Sequence, residues 1–326
     1  MKFINRNIVQ FVKDRKASHL FLVRIKHLFN RYPKPKIDFP EMISIEISSI
    51  CNLSCSHCPP QMKEFRTLRR KHNHINYDLF NKLMDEIDAY GTNYIALHKD
   101  GEPLIHPEIE KILMRVKQNR EHNVYITTNA QNLDSAMADL LISSRINSVN
   151  FSVGASSSRF YEKVRGKNYY KVIDNILHFI EKVKTSNWKP KVSVQIINLP
   201  EHQEMKSEID NFRRFWKDFD VSISVWEKLT WGVLDGENVK SYRYPCYSLW
   251  HSFNINSNGE VTACCMDWKQ ELIIGSVFQE SIKTIWFSKR LKELRQIHLL
   301  HDETKLPACT TCNYWKWQPM LLEYPL

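Results

Sequence analysis

The chain has no run of about 18 apolar residues, which excludes an ordinary membrane-spanning helix. Its opening, MKFINRNIVQFVKDRK, lacks the unbroken apolar stretch and small-residue cleavage site of a secretory signal. Low-complexity stretches are absent as well. With 326 residues and 43% hydrophobic content, the chain can form one large core domain with a smaller partner, and we expect a cytoplasmic protein.

Acidic residues are nearly missing from the first 36 positions, where Asp14 stands against ten lysines and arginines. This segment therefore holds +9 of the total net charge of +10. Apolar residues at helical spacing predict a basic helical arm over residues 1–40, ended by the prolines of YPKPKIDFP. The arm either packs on the core or meets an anionic surface, namely the inner face of a membrane or a partner protein. Nucleic acid is disfavoured as a partner because aromatic and basic residues do not interleave there.

Cysteine is absent from the 187 residues between Cys58 and Cys246. Three of the eight cysteines lie within positions 51–58, and the other five lie between positions 246 and 312. In a long chain without a secretory signal, cysteines bunched in this way indicate metal or cluster ligands rather than disulfides.

From residue 42 onward, short β-branched runs alternate with helical patterns. The six predicted strands are MISIEISSI, NYIALH, VYITT, SVNFSV, KVSVQIINL and VSISVW. This alternation predicts an α/β fold, a partial (β/α)6 TIM-like barrel with its working residues at the carboxyl ends of the strands. After about residue 243, a hairpin turning at Ser257-Asn258-Gly259 and one helix over SIKTIWFSKRLKELRQIHLL predict a small α+β domain. The predicted parts are the arm, a barrel over residues 41–235 and a C-terminal domain over residues 236–326.

The first chemical motif, SICNLSCSHCPP, follows the first predicted strand and contains Cys51, Cys55 and Cys58. Three thiolates on one loop can bind three irons of a cubane and leave the fourth iron open. A three-cysteine zinc site with a fourth ligand elsewhere is the alternative.

This loop and four later motifs resemble the radical S-adenosylmethionine (SAM) superfamily over residues 42–230. KDGEPLIHP is similar to the family's Gly-Gly-Glu-Pro motif, with Asp100 where the first glycine often stands. TTNA is similar to Thr-Asn-Gly, and NFSVGA is similar to Ser-Ile-Asp-Gly. The resemblance implies the barrel of the radical SAM type and a [4Fe-4S] cluster whose open iron binds SAM. It also implies SAM contacts by His57, Gly101, Glu102, Pro103, Thr128, Asn129, Ser152 and Arg165, with His57 near the adenine and Arg165 at the SAM carboxylate.

The C-terminal cysteines Cys246, Cys264, Cys309 and Cys312 stand among motifs that resemble the auxiliary-cluster domains called SPASM and twitch. These motifs are INSNGEVTACCMD, IGSV, TIWFS and PACTTC. A full SPASM domain has seven cysteines, so five imply a single second [4Fe-4S] cluster of the twitch kind. Cys265 is an alternative to Cys264, because neighbouring residues on a hairpin point to opposite faces. A structural zinc ribbon remains open as another interpretation.

The resemblance implies reductive cleavage of SAM and hydrogen abstraction from a substrate C–H bond, with electrons from a reduced flavodoxin- or ferredoxin-type donor. The main hypothesis is oxidation or epimerisation of a sugar or cyclitol, with the second cluster as electron carrier. Maturation of a ribosomal peptide by crosslinking or epimerisation is the second hypothesis. A non-catalytic or zinc-binding protein on a barrel scaffold is the third.

Two acidic residues are candidate catalytic bases. Glu227 ends the sixth predicted strand beside Lys228 and near Trp226 and Trp231, which offer a sugar-stacking surface. Asp267 stands two residues after Cys265. For each of them, a solvated loop charge is the alternative.

Overall fold

The computed structural model describes residues 38–62, 72–119, 121–229 and 245–317. Nearly all of the predicted arm, Trp231 and the predicted boundary at residues 235 and 236 lie outside the described residues. Among the residues described, no helix is long and apolar enough to cross a membrane.

Six parallel strands form the main sheet, as the alternation of strand and helix patterns predicts. They pair in the order β6-β5-β4-β3-β2-β1. Their bounds are β1 Met42–Ile45, β2 Tyr94–Ala96, β3 Asn123–Thr128, β4 Ser148–Ser152, β5 Lys191–Asn198 and β6 Ser222–Glu227. In the described residues β6 pairs only with β5, so the parallel strands form the predicted partial barrel, left open at this edge.

Helices follow the strands and cover one face of the sheet. They are α1 Tyr77–Tyr90, α2 Ile109–Lys117, α3 Ser135–Ser143, α4 Ser158–Val164, α5 Tyr169–Thr185 and α6 Met205–Trp216. Side-chain caps begin several of them: Asn76 accepts the N–H of Leu79 in α1, and Asp134 accepts the N–H of Met137 in α3. These caps bond backbone N–H groups that the first turn of a helix leaves without an intrahelical partner.

The C-terminal part extends the same sheet instead of building a separate one. After the short helix α7 Ser248–His251, the strand β7 Ser252–Ile255 pairs in parallel with β1. The antiparallel strands β8 Glu260–Thr262 and β9 Ile273–Ser276 then follow, which confirms the predicted hairpin. Gly259 has a φ of 78° in its turn, a conformation that glycine adopts without steric cost.

The prediction of one helix over residues 281–300 is wrong. The segment forms α8 Ile282–Trp286 and α9 Lys289–Leu299, and α10 Pro307–Thr310 comes later. Ser288 interrupts the helical run because its side chain accepts the N–H of Leu291 and so begins a new helix. Glu86 of α1 accepts the first two N–H groups of α8 and fixes that helix to the barrel.

The two faces of the parallel strands differ in chemistry. Val194, Ile196 and Phe151 are fully buried in the core, where Phe151 meets Phe179 of α5 at a ring-centroid distance of 5.3 Å. Residues of the opposite parity face the inside of the partial barrel and are mainly polar. We call five of them the inner row: Thr127, Asn150, Ser193, Gln195 and Ser224.

Because β7 lies inside the continuous sheet, we expect Ile255→Ala to destabilise the barrel and the C-terminal part together. Ile255 is fully buried, and removing such a side chain costs about 2–5 kcal/mol. Amide hydrogen exchange in β3–β5 should therefore speed up as much as exchange in β7–β9. Ile273→Ala on the edge strand β9, where Ile273 is 36% exposed, is the control and should change little. Faster amide exchange confined to β7–β9 would contradict the expectation that the sheet unfolds as one cooperative unit.

Candidate functional site

The first cysteine loop follows β1 at the carboxyl edge of the sheet. Cys55 is buried, Cys58 is half-buried and Cys51 is exposed. The loop is tied down by the N–H of Ser56, which donates to the carbonyl of Val164 at the end of α4 (2.9 Å), and by the N–H of Cys58, which donates to Cys55 (3.0 Å). Ligand atoms of Cys55, His57 and Cys58 lie within 4.8 Å of one another, while Cys51 stands outside this group.

The electrostatics favour metal-binding forms of Cys55 and His57, whereas burial raises the pKa of Cys51, and a hydrogen bond with Cys55 together with burial raises the pKa of Cys58. A hydrogen bond from Cys58 and the charge of Arg165 lower the pKa of Cys55 to about 6, against the opposing effect of burial. Cys55 is therefore a thiolate at neutral pH, the form that binds iron. Burial, helped by the charge of Arg165, lowers the pKa of His57 to about 3, so this imidazole is neutral.

Arg165 brings a buried positive charge to the three cysteines. Its guanidinium donates to Ser152 Oγ (3.1 Å), while its Nε is buried without a partner in the described structure. Arg165 lies close enough to Cys51, Cys55 and Cys58 to interact with all three electrostatically. A buried charge with an unused donor is a place for an anionic group, either a thiolate-bound cluster or a carboxylate.

Gly154 makes room for this arginine. Its φ is +77°, and a Cβ at this position would lie 2.7 Å from Arg165 Cδ and 2.9 Å from a guanidinium nitrogen. The motif NFSVGA contains Gly154, but the motif alone does not indicate a packing role for this glycine. The glycine is needed because the Arg165 side chain lies directly over its backbone.

Glu102 joins three segments at the carboxyl edge. Its N–H donates to the carbonyl of Ile50, which precedes the first cysteine. Its carboxylate accepts from the N–H of Leu104 (3.0 Å), the hydroxyl of Thr128 (2.7 Å) and the N–H of Asn129 (2.7 Å). Burial raises the pKa of Glu102, and these three donors act against that rise.

The neighbours of Glu102 in the predicted motif are also tightly placed. A Cβ on Gly101 would lie 2.3 Å from the carbonyl oxygen of Ser48 and 2.6 Å from that of Ile50, so only glycine fits there. Pro103 is buried and begins a single 3-10 turn over Pro103–Ile105. The motif thus packs directly against the chain that leads into the cysteine loop.

Asn129 extends the hydrogen-bond network of Glu102 to the first cysteine. Its side-chain amide donates to Asn52 Oδ1 (2.7 Å) and lies 3.9 Å from the sulfur of Cys51. The N–H of Leu53 also donates to that sulfur, at 3.5 Å. Hydrogen bonds to ligand sulfur atoms are a means of tuning an iron–sulfur cluster.

The second cysteine set lines one cavity in the C-terminal part. The cavity is bounded by Cys246, Cys264, Cys309, Cys312, Asp267, His298 and Tyr314, among others. Backbone N–H groups of Met266 and Tyr314 donate to the sulfurs of Cys264 and Cys312, both at 3.4 Å. In the described residues these four cysteines do not form a group with all ligand atoms within 4.8 Å.

Cys265 is not part of that lining. It lies within electrostatic reach of Lys99 and Asp100, and its sulfur is hydrogen-bonded to Cys264 and Tyr314, which do line the cavity. Lys99 and Asp100 form an ion pair of 2.8 Å whose side chains are only 2% and 5% exposed. The geometry thus favours Cys264 over Cys265 as the ligand, and it places a buried ion pair between the barrel and the second cysteine set.

The two predicted bases lie in different parts of the fold, Glu227 at the end of β6 and Asp267 after β8. Glu227 is exposed, pairs in register with Asn198 and accepts a hydrogen bond from its side chain (3.0 Å). By strand alternation it lies on the side opposite to Gln195 and Trp226. Asp267 is buried, and its carboxylate accepts the N–H groups of Glu271 (3.0 Å) and Leu272 (2.7 Å).

The sequence analysis does not identify the inner row as a candidate site. Its signal in the sequence is the alternation of polar and apolar residues in SVNFS and KVSVQII. Asn150 donates to Gln195 (2.8 Å) and accepts from Ser193 (2.8 Å). Ser152 extends the row toward Arg165 and the cysteine loop. His98 contacts the inner row at Thr127, whose N–H donates to His98 Nδ1 (3.1 Å).

The residues fit two iron–sulfur clusters with SAM at the first. One set offers three thiols beside a buried arginine with an unused donor, and the other offers four thiols around one cavity. Three cysteines leave one iron of a cubane for SAM, whereas four cysteines leave none.

Family models match both regions. Residues 45–212, just over half of the chain, match the radical SAM superfamily, and residues 246–313 match the SPASM iron–sulfur cluster-binding domain. Among curated relatives, the GTP 3′,8-cyclase of Clostridium acetobutylicum is 30% identical over 138 residues, 42% of this chain and 42% of that protein. The chain spans about two fifths of the length of the first two curated relatives it matches.

Solved structures share the fold. BtrN in complex with AdoMet and 2-DOIA superposes with a TM-score of 0.56 at 16% identity, covering 84% of this chain and 93% of BtrN. Streptococcus suis SuiB bound to the precursor peptide SuiA gives a TM-score of 0.58 at 16% identity, covering 94% and 75%. At these identities the likeness concerns the fold alone.

We predict that Gly154→Ala weakens SAM binding roughly ten-fold or more, because the new methyl group displaces Arg165 and a charged hydrogen bond contributes about 1.5–3 kcal/mol. Gly91→Ala is the matched control, since Gly91 also has a φ of +77° but has nothing within 4 Å of an added Cβ. Both variants should lose similar stability from backbone strain. Equal SAM dissociation constants for the two reconstituted variants would contradict the role of Gly154.

Proposed function

Since the chain belongs to the radical SAM superfamily, we propose that it oxidises or epimerises a sugar- or cyclitol-type substrate and uses a second [4Fe-4S] cluster as its electron carrier. The observation that carries this proposal is the inner row, an uncharged hydrogen-bonding surface that leads to the SAM motifs.

The two matched domains imply two [4Fe-4S] clusters and SAM. We assign the first cluster to Cys51, Cys55 and Cys58, and the second to Cys246, Cys264, Cys309 and Cys312. When bound and reduced, the first cluster supplies the electron that splits SAM into methionine and a 5′-deoxyadenosyl radical, which removes a hydrogen atom from the substrate. The reductant this chemistry needs is, in our proposal, a reduced flavodoxin or ferredoxin.

The residues around the first loop hold SAM in place. Arg165 binds the SAM carboxylate through its Nε–H, which the bond to Ser152 does not use. Glu102 fixes the ends of β2 and β3, so that the backbone near Gly101 and the side chain of Asn129 are held at the SAM site. His57 is neutral and packs near the adenine without bringing a charge.

The inner row binds the substrate. Amide and hydroxyl groups donate and accept hydrogen bonds in the way that the hydroxyls of a sugar require. Trp226 pairs with Ile197, so it lies on the same side of the sheet as Gln195, and it is 50% exposed. Its ring is therefore available to pack against the apolar face of a sugar ring.

Oxidation also requires an electron acceptor and a proton acceptor. Four cysteines occupy every iron of the second cluster, so this cluster carries electrons and does not bind substrate. For the proton we propose Asp100 in place of Glu227 and Asp267, because Asp100 adjoins Gly101 and lies near Cys265. Lys99 compensates its charge at this buried position.

Peptide maturation is the second candidate. The edge strand β6, unpaired on one side in the described residues, favours it because an extended peptide can add to such an edge. The structure of SuiB with a precursor peptide shows that a protein of similar fold binds one. Cyclisation of GTP, the activity in the name of the curated relatives, is not proposed, because the first two of those relatives match only about two fifths of this chain.

The proposed function is tested with anaerobically reconstituted protein, SAM, dithionite and a panel of sugars, cyclitols and their nucleotide-linked forms. We expect 5′-deoxyadenosine in step with a product two mass units lighter than the substrate, or with an epimer that takes up solvent deuterium. Mass spectrometry and chiral chromatography distinguish the two. Turnover of peptides alone would overturn the sugar assignment in favour of the second candidate.

Two variants on β5 test the inner row directly. Gln195→Ala removes an inward amide and should raise KM about three- to ten-fold, the effect of one hydrogen bond. Asn198→Ala removes an outward amide three residues later and should leave KM unchanged.

A further inference from the structure

His298 lies on α9 at the wall of the second cysteine cavity, and none of the motifs described above includes it. Its side chain is only 2% exposed. Its Nδ1 lies 3.4 Å from the backbone nitrogen of Cys246, and its Nε2 lies 3.7 Å from the sulfur of Cys309. One imidazole therefore touches two of the four cysteines, which are 63 positions apart in the sequence.

The contact with Cys246 determines which ring nitrogen carries the proton. A backbone N–H can only donate, so Nδ1 must offer its lone pair to the Cys246 N–H. A neutral imidazole then carries its hydrogen on Nε2. Glu303 also lies near the ring, and its carboxylate oxygen is 3.7 Å from Nδ1, beyond normal hydrogen-bond length.

We propose that His298 is a positioning residue that donates its Nε2–H to the Cys309 thiolate and thereby raises the reduction potential of the second cluster. A hydrogen bond draws electron density from the sulfur and stabilises the more negative, reduced state of the cluster. This makes the cluster a better acceptor for an electron leaving the substrate. The inference rests on the proposed assignment of the four C-terminal cysteines to that cluster.

The experiment uses the full chain with Cys51, Cys55 and Cys58 replaced by alanine, so that only the second cluster is present. In this background His298→Phe keeps the ring but removes the donor. We expect its midpoint potential, measured by an EPR-monitored redox titration, to become more negative by about 59 mV or more, which is a ten-fold change in the equilibrium constant for one electron.

Two isosteric variants separate the hydrogen bond from packing. His298→Gln places an amide donor near the position of Nε2 and should largely restore the potential. His298→Asn can replace only Nδ1, so it should behave like His298→Phe. His301→Gln, at an exposed histidine three residues later, is the control and should not change the potential.

The outcomes separate this proposal from the ligand assignment. Iron content is measured first, and a triple variant that holds no iron overturns the cluster assignment together with the inference. If iron is retained, pulsed EPR should detect an exchangeable proton near the cluster that is missing in His298→Phe and His298→Asn. Equal potentials in all four His298 forms would refute the role of His298 while leaving the cluster assignment intact.

Discussion

The buried carboxylate of Glu102 is the interaction on which the rest of the site depends. It accepts from the end of β3 through Thr128 and Asn129, while the N–H of the same residue donates to Ile50 just before the cysteine loop. One residue thus holds the ends of β1, β2 and β3 at a common level. Because the carboxylate is buried, the loss of any one donor would leave a costly unpaired charge, and this keeps the arrangement rigid.

A second constraint places the two cysteine sets relative to each other. β7 pairs with β1, so the strand that leads to the second set lies beside the strand that leads to the first. Buried polar contacts strengthen this junction, since Glu46 accepts both the N–H and the hydroxyl of Ser257, and Ser257 also bonds Ser49 (3.0 Å). An electron carrier needs a fixed distance from the reacting centre, and a continuous sheet provides it.

The amino-acid sequence predicts the barrel well, because β-branched runs and amphipathic helices are local signals. It also predicts the grouping of the chemistry at the carboxyl edge, because the motifs follow the strands. The break before Ser288 had a local signal, a serine at the start of a charged run, that the hydrophobic periodicity outweighed. The pairing of β7 with β1 and the contact of Gly154 with Arg165 depend on distant residues and have no local signature.

The orientation of the cysteine pair shows the same limit. Alternation alone leaves Cys264 and Cys265 equivalent, and what distinguishes them, the cavity that Cys264 lines and the Lys99–Asp100 pair near Cys265, comes from distant parts of the chain. The surroundings of Asp267 are a tertiary effect of the same kind, because the hydrogen bonds that its carboxylate accepts come from a turn folded around it. Spacing identifies which residue types are present, whereas tertiary contacts decide which side chains are available.

The central claim is that two separate cysteine sets hold two clusters. Iron and sulfide content after anaerobic reconstitution, compared between the unaltered chain and the variant with alanine at Cys51, Cys55 and Cys58, tests it most directly. We expect about eight irons per chain in the first and about four in the second. A variant that retains no iron would show that the C-terminal cysteines are not an independent cluster site, and zinc in place of iron in both would contradict the radical mechanism altogether.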